Sequence, residues 1–373
     1  MKPWTGIALM PETEFIASAL PLFQEEAIEV LEWSFDTLHA GQRELEWLPL
    51  LLSDFAKKGR LIGHGVRYSL LNGNWTKNQH TWLKQLELEV AKYHYRHVTE
   101  HFGFMTSDHF HHGAPLPVPL TSTTLAIGQD RLKRLLQYAS VPVGIENLAF
   151  AFSLEQIKAQ GEFLEKLVEP VNGFLILDLH NIWCQAVNFD IDPQYLIDSY
   201  PLDKVREIHI SGGSWSSVSS SEKAIRRDTH DEAVPEDLFD LLKYALPKCK
   251  YTEAVIFERM GNSVNDVPQQ EQFRADFRKL KQTVADISGN EQGPLELIKK
   301  AEYTMAELGD PLESKELSRQ QALLITLLST DSAIEQVITS IRANKELQDS
   351  GWNTSSWTVE MIETATQLLR KWN

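Results

Sequence analysis

Cysteine is almost missing from this chain. The two present, Cys184 and Cys249, form no CxxC pair, which argues against a disulfide framework and a closed thiolate zinc site. A reducing cytoplasm is the expected compartment. Long apolar runs are missing too. No stretch approaches 18 apolar residues, and the opening MKPWTGIALMPETEF lacks the apolar core of a signal peptide, so neither a membrane span nor secretion is expected. Positive charge is scarce: 36 Lys and Arg stand against 52 Asp and Glu, a formal charge of −16. Such a chain is a poor nucleic-acid binder, because that affinity comes mostly from neutralising phosphate. It would rather attract metal ions or a basic peptide. The GxSxG elbow, the Walker loop and HExxH are all lacking, and with them three common catalytic designs.

What is present is a repeating pattern in a chain of 373 residues, 42% hydrophobic and 24% charged, ordinary values for a globular protein with a large core. Short apolar runs predict strands at Gly6–Met10, Ala27–Trp33, Arg60–Val66, His97–Phe102, Val141–Glu146, Gly173–Asp178, Val205–Ile210 and Ala254–Glu258. Helical spacing predicts helices near 45–57, 77–93, 123–138, 154–168, 236–246 and 268–285; in the first, Leu45, Leu48, Leu51, Leu52 and Phe55 share one face. Eight such strands alternating with helices indicate an α/β (β/α)8 TIM barrel. The competing doubly wound sheet lacks its glycine-rich phosphate fingerprint after the first strand.

The barrel is expected to occupy residues 1–287. A polar break, Ser288–Pro294, leads into an all-helical C-terminal extension, 288–373, with helices near 295–308, 315–329, 332–347 and 356–371. Ser332 and Glu335 have capping-box spacing at the third. This extension is expected to pack on the barrel, dimerise the protein, or dock a peptide or partner. Two long loops, Gly103–Thr121 and Ser211–Val234, follow strands on one barrel face and suit lids or substrate-binding roles.

Metal-binding side chains gather where the strands end: His64, His109, Glu146, Asp178 with His180 and Asn181, His209, Asp228 with His230, and Glu258. Singly, each has a plain reading. A lone His64 can be hydrogen-bonded structure, Asp178 a helix cap, Glu258 an ion pair with Arg259, and His111 and His112 loop lining. Together they differ. In a barrel, Glu146, Asp178, His209 and Glu258 converge, and carboxylates about 4 Å apart repel by roughly 4 kcal/mol at an effective dielectric near 20. A cation removes that cost, and a mixed oxygen and nitrogen donor set suits Fe, Mn or Zn better than Mg or Ca. The donors outnumber the needs of one ion, so two or three ions are expected. A glycosidase pair of Glu146 and Glu258 would leave the histidines without purpose. Gly212-Gly213 could offer N–H groups to an anion, or simply make a tight turn.

At these residues the sequence resembles the multinuclear non-haem iron-dependent oxidative enzymes, the family of the methanobactin-biosynthesis oxidase, over about residues 5–285. The motifs are HGV at His64, SDH at His109 with PLPVPLT, EN at Glu146, DLHN at 178–181, EIHISG at His209, DTH at 228–230 and ER at Glu258. It also lies near the xylose-isomerase-like barrels. The resemblance implies two or three irons, Fe(II) and Fe(III), with O2 as co-substrate. It further implies modification of a ribosomally made precursor peptide at Cys, or at Asp or Asn, often with a separate leader-binding partner protein. One ion would use Glu146, Asp178, His209 and Glu258; a second His64 and His109 with Glu146 bridging; a third Asn181, Asp228 and His230. Asp178, His209 and Glu146 would be the catalytic group, His180 would support a ligand from behind, and Asp108, Glu207 and Asp231 would accept from ligand imidazoles. Three departures stand out: Gly213 replaces a second histidine, Phe150 and Phe152 flank Ala151 where an aromatic is usual, and Met260 replaces an acid. A redox-inert Zn or Mn sugar isomerase or phosphoesterase is the competing enzyme reading; a metal-free peptide-binding scaffold is the non-enzymatic one.

Overall fold

The computed structural model describes residues 2–37, 45–105, 115–288 and 308–371. In chain order the strands are β1 (Trp4–Leu9), β2 (Val30–Trp33), β3 (Leu61–His64), β4 (Val98–His101), β5 (Phe104–Met105), β6 (Pro115–Leu116), β7 (Val143–Glu146), β8 (Phe174–Asp178), β9 (Val205–Ser211), β10 (Trp215–Ser216), β11 (Ile225–Arg226) and β12 (Ala254–Glu258). Eight of them close a parallel barrel in the order β1-β12-β9-β8-β7-β4-β3-β2. They coincide with the eight strands expected from the sequence. The two short antiparallel pairs, β5 with β6 and β10 with β11, lie inside the two long loops.

The helices are α1 (Thr13–Gln24), α2 (Leu48–Lys57), α3 (Lys77–Lys92), α4 (Ser122–Ala139), α5 (Leu154–Val168), α6 (Leu179–Phe189), α7 (Pro193–Asp198), α8 (Glu236–Ala245), α9 (Val267–Ser288), α10 (Lys315–Leu328), α11 (Ile334–Ala343), α12 (Lys345–Gln348) and α13 (Val359–Lys371). The sequence reading placed no helix at α1, α6 or α7. Local chemistry fixes the ends of several others. Thr76 and Gln79 form a capping box on α3, and the Ser153 side chain accepts from Gln156 N at the start of α5. The box expected at Ser332 and Glu335 does not form: α11 starts one residue later, with Ala333 as an N-cap that offers no side-chain oxygen.

Successive strand side chains point to opposite faces, so residues two apart share a face. Inside the barrel Ala8, Val30, Ile62, Ala254 and Ile256 pack into a small apolar plug with Trp4 against it. Two residues further along, toward the strand C-termini, that inner face carries Glu32 after Val30, His64 after Ile62 and Glu258 after Ile256. The alternation that builds the plug therefore also aims the polar residues inward. A register shift between β8 and β9 sets Ile176 opposite Glu207 instead of Arg206. Such an irregularity re-aims the residues that follow it, and here these include Glu207 and His209.

The helical C-terminal region sits on the barrel's loops. Gln321 on α10 accepts from Gly73 N and donates to Leu71 O, both at 2.8 Å. Trp357 stacks on Phe152 with ring centroids 3.8 Å apart. That contact accounts for one departure noted above, because the displaced aromatic packs against the tail. The expected break at Ser288–Pro294 begins at the last described residue of α9; the rest of it and all but the last residue of the expected helix at 295–308 lie outside the described residues. Among the described residues, no helix is long and apolar enough to cross a membrane.

Candidate metal centre

The C-terminal end of a (β/α)8 barrel is where strand ends and following loops build a pocket. Here β7 ends on Glu146, β8 on Asp178 and β12 on Glu258, while β9 passes His209 two residues before its end. These four side chains bring ligand atoms within 4.8 Å of one another. Asp178 and His209 are fully buried, and Glu146 and Glu258 nearly so.

A second group joins His64, at the end of β3, to Glu146 and to His101, the last residue of β4. Glu146 Oε2 lies 3.3 Å from His64 Nε2 and 3.2 Å from His101 Nε2. The resemblance assigns this position to His109; His109, with Asp108, His111 and His112, lies outside the described residues. His101 was missed, although Thr99 and His101 share the inner face of β4 and Thr99 Oγ1 meets His64 Nδ1 at 2.8 Å. His101→Ala is expected to lower bound metal by about one ion per chain, as fits the loss of one of few ligands. Metal analysis checks this; full retention there, with loss in His109→Ala instead, would restore the original assignment.

The third set is arranged along the Ser211–Val234 loop. Asp228 Oδ1 stands 2.7 Å from His230 Nε2 and 3.0 Å from His180 Nδ1. His230 Nε2 is 3.7 Å from Glu258 Oε2, which ties this set to the first. His230 adopts a left-handed backbone, φ 51°, a conformation that costs a non-glycine residue about 1 kcal/mol and collects at functional sites. Asn181 belongs to α6, which starts directly from the strand end: Asp178 Oδ1 accepts from Asn181 N at 2.5 Å, and Asn181 Nδ2 donates to Glu146 Oε1 at 3.1 Å. The plain reading of Asp178 as a cap holds on Oδ1, and Oδ2 is left buried without a hydrogen-bond partner. The loop returns close to the barrel at two glycines. A Cβ on Gly213 would stand 2.3 Å from Arg227 O and 2.8 Å from His180 Cε1, and one on Gly212 2.2 Å from Ala233 O. The histidine missing at Gly213 thus has no room here.

Behind the ligands, Glu207 Oε1 faces His209 Nε2 at 3.3 Å while Oε2 meets His97 Nε2 at 2.8 Å. Glu32, which the sequence reading passed over, adds a carboxylate 3.2 Å from the same His209 nitrogen. His209 therefore presents Nδ1 to Glu146 and Glu258, at 3.9 and 3.4 Å. Asp231, another expected acceptor, instead takes a hydrogen bond from Thr229.

Whether the cluster suits a cation is answered by its idle atoms. Glu146 Oε2, Asp178 Oδ2, Asn181 Oδ1, His209 Nδ1 and Glu258 Oε2 are all buried and make no hydrogen bond. Each such atom costs roughly 1–3 kcal/mol, more if charged, and all five belong to side chains at the strand C-termini and the start of α6, a chemistry that fits a cation. The acids also hold one another apart in proton affinity. Burial lifts the Glu146 carboxyl to about 8, His209 only partly opposing it while Glu258 and Asp228 add to it. Burial pushes Glu258 up as well, but His209 and His230 outweigh it and bring it to about 2. Asp178 is raised by burial and then by Asp228, Glu146 and Glu258. His209 and His230 rise despite burial, under Glu258 and Glu32 in one case and Asp228 and Glu258 in the other.

Two consequences of sign follow from Glu146. Between its ordinary 4.5 and about 8 only the folded chain binds this proton, so the group lowers the stability of the metal-free fold as pH rises through that window. An ion must displace the same proton. Metal uptake is expected to release protons and to weaken about tenfold per unit as pH falls below about 8. Zinc titrations of metal-free protein at several pH values check this, and a pH-independent affinity would contradict it.

Known proteins similar to this chain cover the barrel. The UPF0276 protein of Acinetobacter baylyi is 25% identical over 241 residues, 65% of this chain and 79% of the relative. That of Caulobacter vibrioides is 25% identical over 244 residues, 64% of this chain and 81% of the relative. The xylose isomerase domain protein of Planctomyces limnophilus is similar in fold, with a TM-score of 0.52 at 14% identity over 77% of this chain and 98% of that one. Residues 28–285 match the family described as RiPP precursor modification enzyme MbnB/TglH/ChrH. The match runs from two residues before β2 to three residues short of the end of α9 and so takes in every side chain of the three groups. The chain belongs to this family of enzymes that modify ribosomally synthesised precursor peptides.

Proposed function

We propose that the protein is a multinuclear iron enzyme that uses O2 to oxidise one residue of a ribosomal precursor peptide, a cysteine or else an aspartate or asparagine. The observation that carries this reading is the set of five buried ligand atoms, without hydrogen bonds, in one barrel mouth. One ion would be held by Glu146, Asp178, His209 and Glu258, a second by His64, His101 and Glu146, and a third by Asn181, Asp228 and His230. Mixed imidazole and carboxylate donors suit iron, which when bound supplies the redox equivalents and open positions for O2 chemistry.

The residues themselves divide the labour by depth. Asp178 and His209 are sealed and hold geometry, whereas His101, Asp228 and His230 keep 29, 25 and 20% of their side chains accessible and face an arriving peptide. Glu207 bonds the far nitrogen of the His209 ring and Glu32 adds its charge beside it, leaving Nδ1 free to ligate. Glu146, shared by two groups, keeps them at a fixed separation. A leader-binding partner protein and self-association belong to the same reading.

The test is oxygen uptake by anaerobically iron-loaded protein mixed with precursor peptide. Uptake matched by a mass change on one peptide residue, and missing with zinc or manganese, is the expected result. Turnover of a sugar or phosphoester by the zinc or manganese form, without oxygen uptake, would replace this reading with the redox-inert one.

A further inference from the structure

We infer that Glu363, on the last helix, positions Asp228 and His230, which makes the helical tail a working part of the metal centre. The inference rests on the three-ion reading above. Its basis is a set of contacts between α13 and the tip of the β10–β11 hairpin. Glu363 Oε1 accepts from Ser219 N at 2.6 Å and from Ser219 Oγ at 2.8 Å, and Oε2 accepts from Ser220 N at 2.9 Å. One turn further along, Gln367 Nε2 donates to Ser217 O at 3.2 Å. Glu363 is only 5% exposed although Ser219 and Ser220 are on the surface. A buried carboxylate taking three donors from one exposed loop is a charge-assisted clamp, stronger than neutral hydrogen bonds.

From the clamped tip the chain returns through β11 directly into Asp228. Trp215 pairs with Arg226 and Ser216 with Ile225 across the hairpin, and Arg227 N donates to Ser214 O at 2.9 Å. The base of the hairpin has its own fastening, because Asn188 Oδ1 accepts from Arg226 N at 2.8 Å and Asn188 Nδ2 donates to Arg226 O at 3.0 Å. Beyond Asp228, Met260 N donates to His230 O at 2.7 Å, holding the left-handed His230 from the other side. The pair thus hangs between Met260, Asn188, Ser214 (which bonds the Thr229 hydroxyl between them) and the tail, where Glu363 makes three of the bonds and Gln367 one. Loss of Glu363 removes three bonds from the tip and leaves Gln367 on Ser217, Lys223 on Asn188 O and Asp190, and the base of the hairpin in place, so it loosens the third ion site without dismantling it. The tail itself stays in place through Gln321 and Trp357.

The experiment compares wild-type, Glu363→Ala and Glu363→Gln proteins, stripped of metal and titrated with zinc alone, alongside hydrogen exchange of the 217–221 amides. In Glu363→Ala the weakest zinc step is expected to lose about tenfold in affinity, the scale of one charge-assisted hydrogen bond. The loop amides are expected to exchange about tenfold faster by the same measure. Glu363→Gln, which keeps one acceptor oxygen, falls between. Unchanged zinc affinity in Glu363→Ala, with or without faster exchange, overturns the positioning role. Wild-type protein that takes up no zinc contradicts the metal reading instead, and loop exchange then decides whether Glu363 holds the loop.

Discussion

Asp178→Asn is expected to remove the ion of the Glu146, Asp178, His209 and Glu258 group and to abolish turnover while the barrel stays folded. Asp178 is fully buried and its two oxygens have separate tasks. Oδ1 caps α6 through Asn181 N, and Oδ2 has no hydrogen-bond partner. Asparagine keeps an oxygen for the cap and removes the charge from the ligand position. In the metal-free protein that change is nearly neutral or stabilising, because the carboxyl is already held well above its ordinary range by burial, Asp228, Glu146 and Glu258 and removing a buried ionisable group relieves its desolvation. Asp178→Ala would lose the cap as well, a further ~1 kcal/mol. The pair of variants therefore separates the two roles: metal content falls in both, and the metal-free melting temperature falls only in the alanine protein. Full iron content and activity in either variant would remove Asp178 from the centre.

Glu146→Gln is expected to cost more than one ion. Its carboxylate faces His64 and His101 with one oxygen and, with the other, His209 and the Asn181 amide. Glutamine can still accept from Asn181, but its amide nitrogen would point a donor where a ligand is needed and the shared charge is gone. Metal content should drop by about two ions of three, and turnover by more than the ~100-fold that loss of an outer supporting partner costs. Loss of a single ion would show that Glu146 serves one group and that the two centres are not bridged.

The barrel was legible because its strands are short, apolar and regularly spaced, and because inward residues recur at every second position. The same alternation exposed most of the site. His64, Glu146, Asp178, His209 and Glu258 stand where apolar runs stop, so charge at a strand end marked them. His101 escaped because the histidine-rich stretch that follows drew attention beyond β4, and because the expected strand ran one residue past it. The period-two relation to Thr99 was the available signal. Glu32 escaped for the opposite reason: it lies within the VLEW run, where an acid reads as a surface position unless the strand is known to face inward. DLHN reads as the end of a strand and hides helix α6, although Asp178 is legible as a cap; the structure adds that the helix starts at the strand end with no loop between. The contact of the tail with the Ser211–Val234 loop is not legible in the sequence, since the bonds of Glu363 join residues 143 and 144 positions apart in the chain.

The central claim is that the barrel mouth holds several iron ions, and the most direct measurement is metal content by mass spectrometry on protein purified without oxygen, with a visible spectrum before and after exposure to air. Two to three irons per chain and a spectrum that changes in air are the predicted result. Stoichiometric zinc or manganese with no response to air, even after expression in iron-supplemented medium, would contradict it.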